Sequence, residues 1–165
     1  MGYGFQDDEV KTGDVLYSSV LYWNATRLLG GMARARGRAD KAAQLEARAE
    51  QVRAAVTARL WSGTRGVFMA STGLESQNID VWGNAFAGAS GFATLEQAAA
   101  IFAFFRDQEA NLFFEGQVRQ VPLPTQWGDT SHAGYVDPRS TVRTYQNGGY
   151  WATPHHHVLP FLARY

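Results

Sequence analysis

An all-α fold of alternating inner and outer helices is predicted by three observations. Apolar residues recur at helical spacing in long segments. Helices with almost no wet face alternate with amphipathic ones, and Gly- and Pro-bearing turns separate them. The first helix is predicted between Asp14 and Arg36, where Val15, Leu16, Val20, Leu21, Trp23, Leu28, Leu29 and Met32 form a broad apolar stripe closed by Gly37. That breadth reads as a mostly enclosed helix. Asp40 is expected to cap the second helix, in which Leu45, Ala49, Val52, Val56 and Leu60 lie on one face and Lys41, Glu46, Arg48, Glu50 and Arg53 lie elsewhere.

After a turn at Ser62 to Gly66, Val67 to Ala70 is short and extended. The third helix, from Ile79 to Ser90, contains Gly83, Ala85, Ala87, Gly88 and Ala89 and no charge after Asp80, so it should be enclosed by close neighbours. Thr94-Leu95-Glu96-Gln97 has capping-box spacing, and Leu95, Ala98, Ile101, Phe102 and Phe105 give the fourth helix its apolar face. A connection from Asn111 to Arg143, with Pro122, Pro124 and Pro138, is too long to be passive and is expected to line a site. The last helix is predicted from Gly148 to the end, with Pro154 confined to its first turn and Pro160 bending it. About five helices result, joined by short extended segments.

Composition narrows the function. The chain has 165 residues, enough for one domain with a core, and its 15 Lys plus Arg balance 15 Asp plus Glu. No global field draws it to nucleic acid or to an anionic membrane, and the expected partner is small or uncharged. It has no cysteine, which excludes thiolate metal sites and thiol nucleophiles. The Met1 end has neither a basic start nor an apolar run, and no segment reaches the roughly 20 apolar residues that span a bilayer, so a soluble, cytoplasmic chain is expected.

Three segments place carboxylate, amide and aromatic groups at helix starts: YGFQDDEVKTGD from Tyr3, QNIDVWGNAF from Gln77, and YQNGGYWATP from Tyr145. They lead the first, third and last helices. If those helices form an inner layer running one way, the three segments line one mouth. This is chemistry suited to a sugar. Aromatic faces (Tyr3, Phe5, Trp82, Trp127, Tyr145, Tyr150 and Trp151) can stack on its C–H face, and amides (Gln77, Asn78, Gln146 and Asn147) can hold its hydroxyls. Core packing is the commoner role for any one of these rings; their clustering at helix starts is what favours a ligand.

With the segments LWSGTRGVFMAS from Leu60 and GQVRQVP from Gly116, these motifs resemble, in order and spacing, the six-hairpin glycosidases of the (α/α)6 toroid superfamily, among them uncharacterised glucosidase-like and trehalase-like members. The resemblance covers nearly the whole chain. It implies a single partial toroid domain over residues 1–165, made of alternating inner and outer hairpins with part of the wall missing. It also implies an inverting two-carboxylate reaction on a neutral oligosaccharide or glycoside, with no cofactor. The alternative is a non-catalytic carbohydrate-binding or subunit-completing helical fragment. Uncovered inner-layer surface predicts self-association or pairing with a complementary helical segment.

An inverting site needs an acid and a base roughly 6.5–9.5 Å apart. Asp7, with Asp8 beside it, is the first candidate, because adjacent like charges raise one pKa as a general acid requires. The bland alternative is a solvated turn. Asp80 is the second candidate, against the alternative that it caps the third helix; Glu115 and Asp129 are weaker ones. Arg119 could orient a carboxylate or a hydroxyl, or sit in an ordinary ion pair. The run His155-His156-His157 departs from the family pattern, and on a helix its rings point about 100° apart, so no metal site is expected there or at His132.

Overall fold

The computed structural model describes residues 11–125, 127 and 148–165. Among these the chain is mostly helical, with six helices and two small antiparallel sheets. The first two helices, α1 (Leu16–Ala35) and α2 (Ala39–Leu60), form an antiparallel hairpin. Arg34 reaches Glu46 near one end of it and Arg59 reaches Asp14 near the other. Gly30 lets α2 approach, since a Cβ there would already touch Leu45 and Glu46. Gly37, at φ 70°, makes the turn that few side chains tolerate.

The strands β1 (Trp61–Ser62) and β2 (Val67–Phe68) pair across a tight turn, with Trp61 opposite Phe68. The segment beyond β2 ties the two hairpins together, because Leu16 N–H donates to the Ala70 carbonyl at 3.0 Å. The third helix, α3 (Val81–Ser90), is buried from Val81 through Gly88, as its small, uncharged sequence predicts. Gly91, at φ 77°, ends it. The next helix, α4 (Leu95–Asp107), begins with the predicted capping box: Gln97 N–H donates to Thr94 Oγ1, and Thr94 N–H donates to Gln97 Oε1. Its Ala98, Ile101 and Phe105 are buried.

After one helical turn, α5 (Glu109–Leu112), come β3 (Phe113–Phe114), β4 (Gln117–Arg119) and β5 (Tyr150–Trp151), which form one antiparallel sheet in the order β3-β4-β5. The β3–β4 turn has positive φ at both Glu115 and Gly116, the twist that suits a tight hairpin. The chain finishes with α6 (His155–Leu162).

Contacts along α1, α3 and α6 rise together in sequence. Tyr17 lies 5.4 Å from Phe86, and Trp23 lies 5.3 Å from Phe92 just past the end of α3. On the other side of α3, Phe86 stacks on His157, and Phe161 covers Gly88. These three helices are therefore parallel, and α3 lies between the other two. The core joins Trp23, Phe68 and Phe92 in edge-to-face contacts and continues through Phe105 to Phe161.

Several expectations need correction. Asp40 does not cap α2; it sits in the first turn, and Arg38 occupies the cap position with no side-chain bond. The first helix is not enclosed, since Leu21, Tyr22, Leu28, Leu29 and Met32 are exposed, Met32 by 65%. Its apolar stripe is broad because one half packs inward while the other half stays largely exposed. Leu95 is exposed rather than part of the α4 core face. The long connection carries α5 and two strands. The last helix starts at His155, because residues 150 and 151 pair with β4 and Pro154 takes the N-cap position rather than one in the first turn. Pro160 lies inside α6.

A Cβ at Gly88 would overlap the Phe161 ring. Gly88→Val should therefore destabilise the chain by roughly 3 kcal/mol, the upper end of the usual effect of overpacking, measured as a lower urea midpoint at unchanged slope.

Candidate functional site

The helix starts of α1, α3 and α6 lie at the same end of the molecule, and buried polar groups converge beneath them. The entry to α3 is built by Asp80. Its Oδ1 accepts from Gly83 N–H at 2.9 Å, and its Oδ2 accepts from the Lys11 ammonium at 2.9 Å. Asp80 has no exposed surface and Lys11 is 6% exposed. The same ammonium lies 4.0 Å over the ring of Trp127, which is fully buried and donates through Nε1 to Gln120 Oε1. The Gln120 carbonyl accepts from Val81 N–H. The segments before α1, at the start of α3 and after β4 are thus locked into one polar knot.

Asn84 extends this knot. Its side chain accepts from Phe68 N–H and donates to the Phe68 and Asp80 carbonyls, all between 2.8 and 2.9 Å. Arg119, on β4, is 1% exposed, and its guanidinium lies 5.6 Å from the Tyr150 ring centre. Gly148 passes against that guanidinium at φ 94°, so neither the space nor the backbone admits a side chain. This accounts for a glycine in the YQNGGYW motif.

In the first turns of α1 and α6, Tyr17 Oη and His157 Nε2 are 3.1 Å apart. The His157 ring stacks on Phe86 at 4.1 Å and 22°. Burial, assisted by the neighbouring His156, pushes the His157 imidazole down to about 4. Burial, and next the negative charge of Asp80, raise the Tyr17 phenol above its ordinary value. Both groups are neutral at pH 7.

The predicted site residues divide sharply. Asp80, Trp82, Arg119 and Trp127 are buried. Asp80 caps α3, the ordinary role weighed for it, and pairs with Lys11, with both oxygens engaged and no exposed surface. Trp82 packs in the core. Gln77 is exposed and its carbonyl accepts from Arg65, while the Asn78 side chain turns back to Glu75. Tyr150 and Trp151 are half-buried on β5, not on a helix. Tyr3, Phe5, Asp7, Asp8, Tyr145, Gln146 and Asn147 lie outside the described residues. Sequence reasoning missed Lys11, Tyr17, Asn84 and His157. Asn84 had a signal, since an amide inside an uncharged helix must find partners. Lys11 had none, because its partner lies 69 positions away.

The model of the mannosylglycerate hydrolase MGH1-like glycoside hydrolase domain matches residues 3–151. The chain belongs to this family. Membership in the MGH1-like glycoside hydrolase domain family accords with the resemblance to six-hairpin glycosidases that the motifs carry. No curated protein matches the chain. Among the described residues of this MGH1-like domain, no helix is long and apolar enough to cross a membrane, and no group of three or more His, Cys, Asp or Glu side chains could hold a metal ion.

Two outcomes follow for the MGH1-like domain. Lys11→Met leaves the Asp80 carboxylate buried without its cation and should destabilise the fold by about 3–5 kcal/mol. Lys11→Met with Asp80→Asn should recover part of that loss in a double-mutant cycle read by denaturant unfolding. The second concerns pH. The folded chain holds His157 below its unfolded value of 6.5, so the unfolded state takes up the proton first. Stability present above pH 6.5 is lost as pH falls towards about 4, and His157→Gln should flatten the fall of Tm across that window.

Proposed function

We propose that this chain acts as a glycoside hydrolase of the inverting type on a neutral oligosaccharide or glycoside, with its pocket at the common end of α1, α3 and α6. One observation carries the reading: three parallel helices bring their starts to one end, over the buried Lys11–Asp80–Trp127 knot. Family membership supplies the reaction class. The knot holds the base of the pocket rigid, which a site needs if its reacting groups are to stay in register with a sugar.

In this reading Asp7, with Asp8 as its neighbour, is the proton-handling carboxylate. Asp80 is a positioning group that fixes α3 through Lys11. The aromatic and amide groups of Tyr3, Phe5, Tyr145, Gln146 and Asn147 contribute to the sugar-binding wall together with Tyr150 and Trp151. Arg119 supports that wall through Tyr150. Mannosylglycerate, the substrate that the family's description prints, is the first compound to try; its acid group would make it the one anionic member of the panel.

A second reading rests on a different observation. The outward half of α1, with Leu21, Leu28 and Met32 exposed, suits coverage by a further helix, whether from a second copy or from a complementary segment, as in a closed (α/α)6 ring. In that case the chain completes or binds with another helical unit, and turnover depends on it.

The test is release of reducing ends from mannosylglycerate and from a panel of neutral α- and β-glycosides, with solution mass measured alongside. Hydrolysis that falls by about a thousandfold in Asp7→Asn at unchanged Tm is the expected result. Binding by calorimetry without any release, at high protein concentration, replaces the hydrolase reading with the non-catalytic one.

A further inference from the structure

We infer that Tyr17 and His157 form a paired contact for neighbouring carbohydrate hydroxyls at the common end of α1, α3 and α6. The inference rests on the carbohydrate reading above and adds to it a pair of residues outside the sugar-binding candidates read from the sequence. The two polar atoms come from the first turns of different helices and lie 3.1 Å apart. Both side chains are half-buried, so each keeps some exposed surface. Phe86, itself 5% exposed, lies beneath both rings, at 5.4 Å from Tyr17 and 4.1 Å from His157. A cluster of three rings leaves little rotamer freedom to lose when a ligand arrives.

The hydrogen-bond inventory of the pair matches a hydroxyl in either tautomer. If Tyr17 donates to His157 Nε2, then Nδ1 carries the remaining proton and the phenol oxygen keeps its acceptor capacity. If Nε2–H donates to the phenol oxygen, the phenol proton is available and Nδ1 accepts. In both cases the pair offers one donor and at least one acceptor beyond its internal bond. The open positions lie on different edges of the pair, so neighbouring hydroxyls of one sugar, each able to donate and accept, are their complement. The pair carries no charge at neutral pH, so it has no preference for an anion or a cation over an uncharged polyol. Phe86 backs both rings and fixes their orientation. The exposed His156 ring lies 3.7 Å from that of His157 and widens the same surface.

A plain helix clamp is the competing role, because the same bond fastens α6 to α1. Calorimetry separates the two. Mannose, glucose, their methyl α-glycosides and mannosylglycerate are titrated into the wild type, Tyr17→Phe, His157→Gln and the double variant, each checked for native circular dichroism. The His157 side-chain 15N resonances of the wild type are followed in parallel, so that a variant that fails to fold does not decide the outcome. The expected result is that each single change weakens binding about tenfold, that the double change weakens it little further, and that the imidazole resonances move with sugar. Sugar binding at wild-type affinity in both folded variants, or imidazole resonances unmoved at saturating sugar, overturns the inference while leaving the carbohydrate reading in place. A wild type that binds none of these probes and hydrolyses no glycoside ends both.

Discussion

The ion pair between Lys11 and Asp80 is the constraint on which the arrangement turns. It lies where three stretches of chain meet: the residues before α1, the entry to α3 and the segment after β4. A buried pair of this kind contributes little net stability, because both charges give up water, but it fixes geometry strongly since neither partner can be left alone. Asp80 spends its second oxygen on the start of α3, so the position of that helix and the position of Lys11 are one variable. The Trp127 ring closes the other side of the ammonium.

α3 then organises the packing. Its small residues admit α1 on one side and α6 on the other, and Gly83 and Gly88 are the points of closest approach, to Leu16 and Phe161. Because those neighbours run parallel to it, the helix starts gather at one end. Asn84, an amide inside that buried helix, is held by partners on both its oxygen and its nitrogen. Rigidity at the helix starts and exposure of the Tyr17 and His157 edges are two results of the same packing.

Much of this was legible in the sequence, for physical reasons that differ by element. The capping box of α4 is a local motif, and its two bonds form as its spacing predicts. The enclosure of α3 follows from side-chain size and lack of charge, which hold in any context. The stripe on α1 was misjudged because apolar content does not say whether a neighbour exists; half of that stripe is uncovered among the described residues. The start of α6 was misplaced by the Gly- and aromatic-rich segment, whose Tyr150 and Trp151 pair with β4 through contacts more than thirty positions apart. Of the site, Asp80 was found with its ordinary role as a cap weighed beside a catalytic one, and the cap is what the geometry shows. Lys11 and His157 were not legible, since each is defined by partners distant along the chain.

The amide of Asn84 has a further effect, on association rather than on ligand chemistry. By engaging both the N–H and the carbonyl of Phe68, it occupies the hydrogen-bonding groups that β2 would otherwise offer along its free edge. A side chain stands in for a third strand. The β2 edge of the small hairpin is thereby closed to strand addition by a single residue on a neighbouring helix.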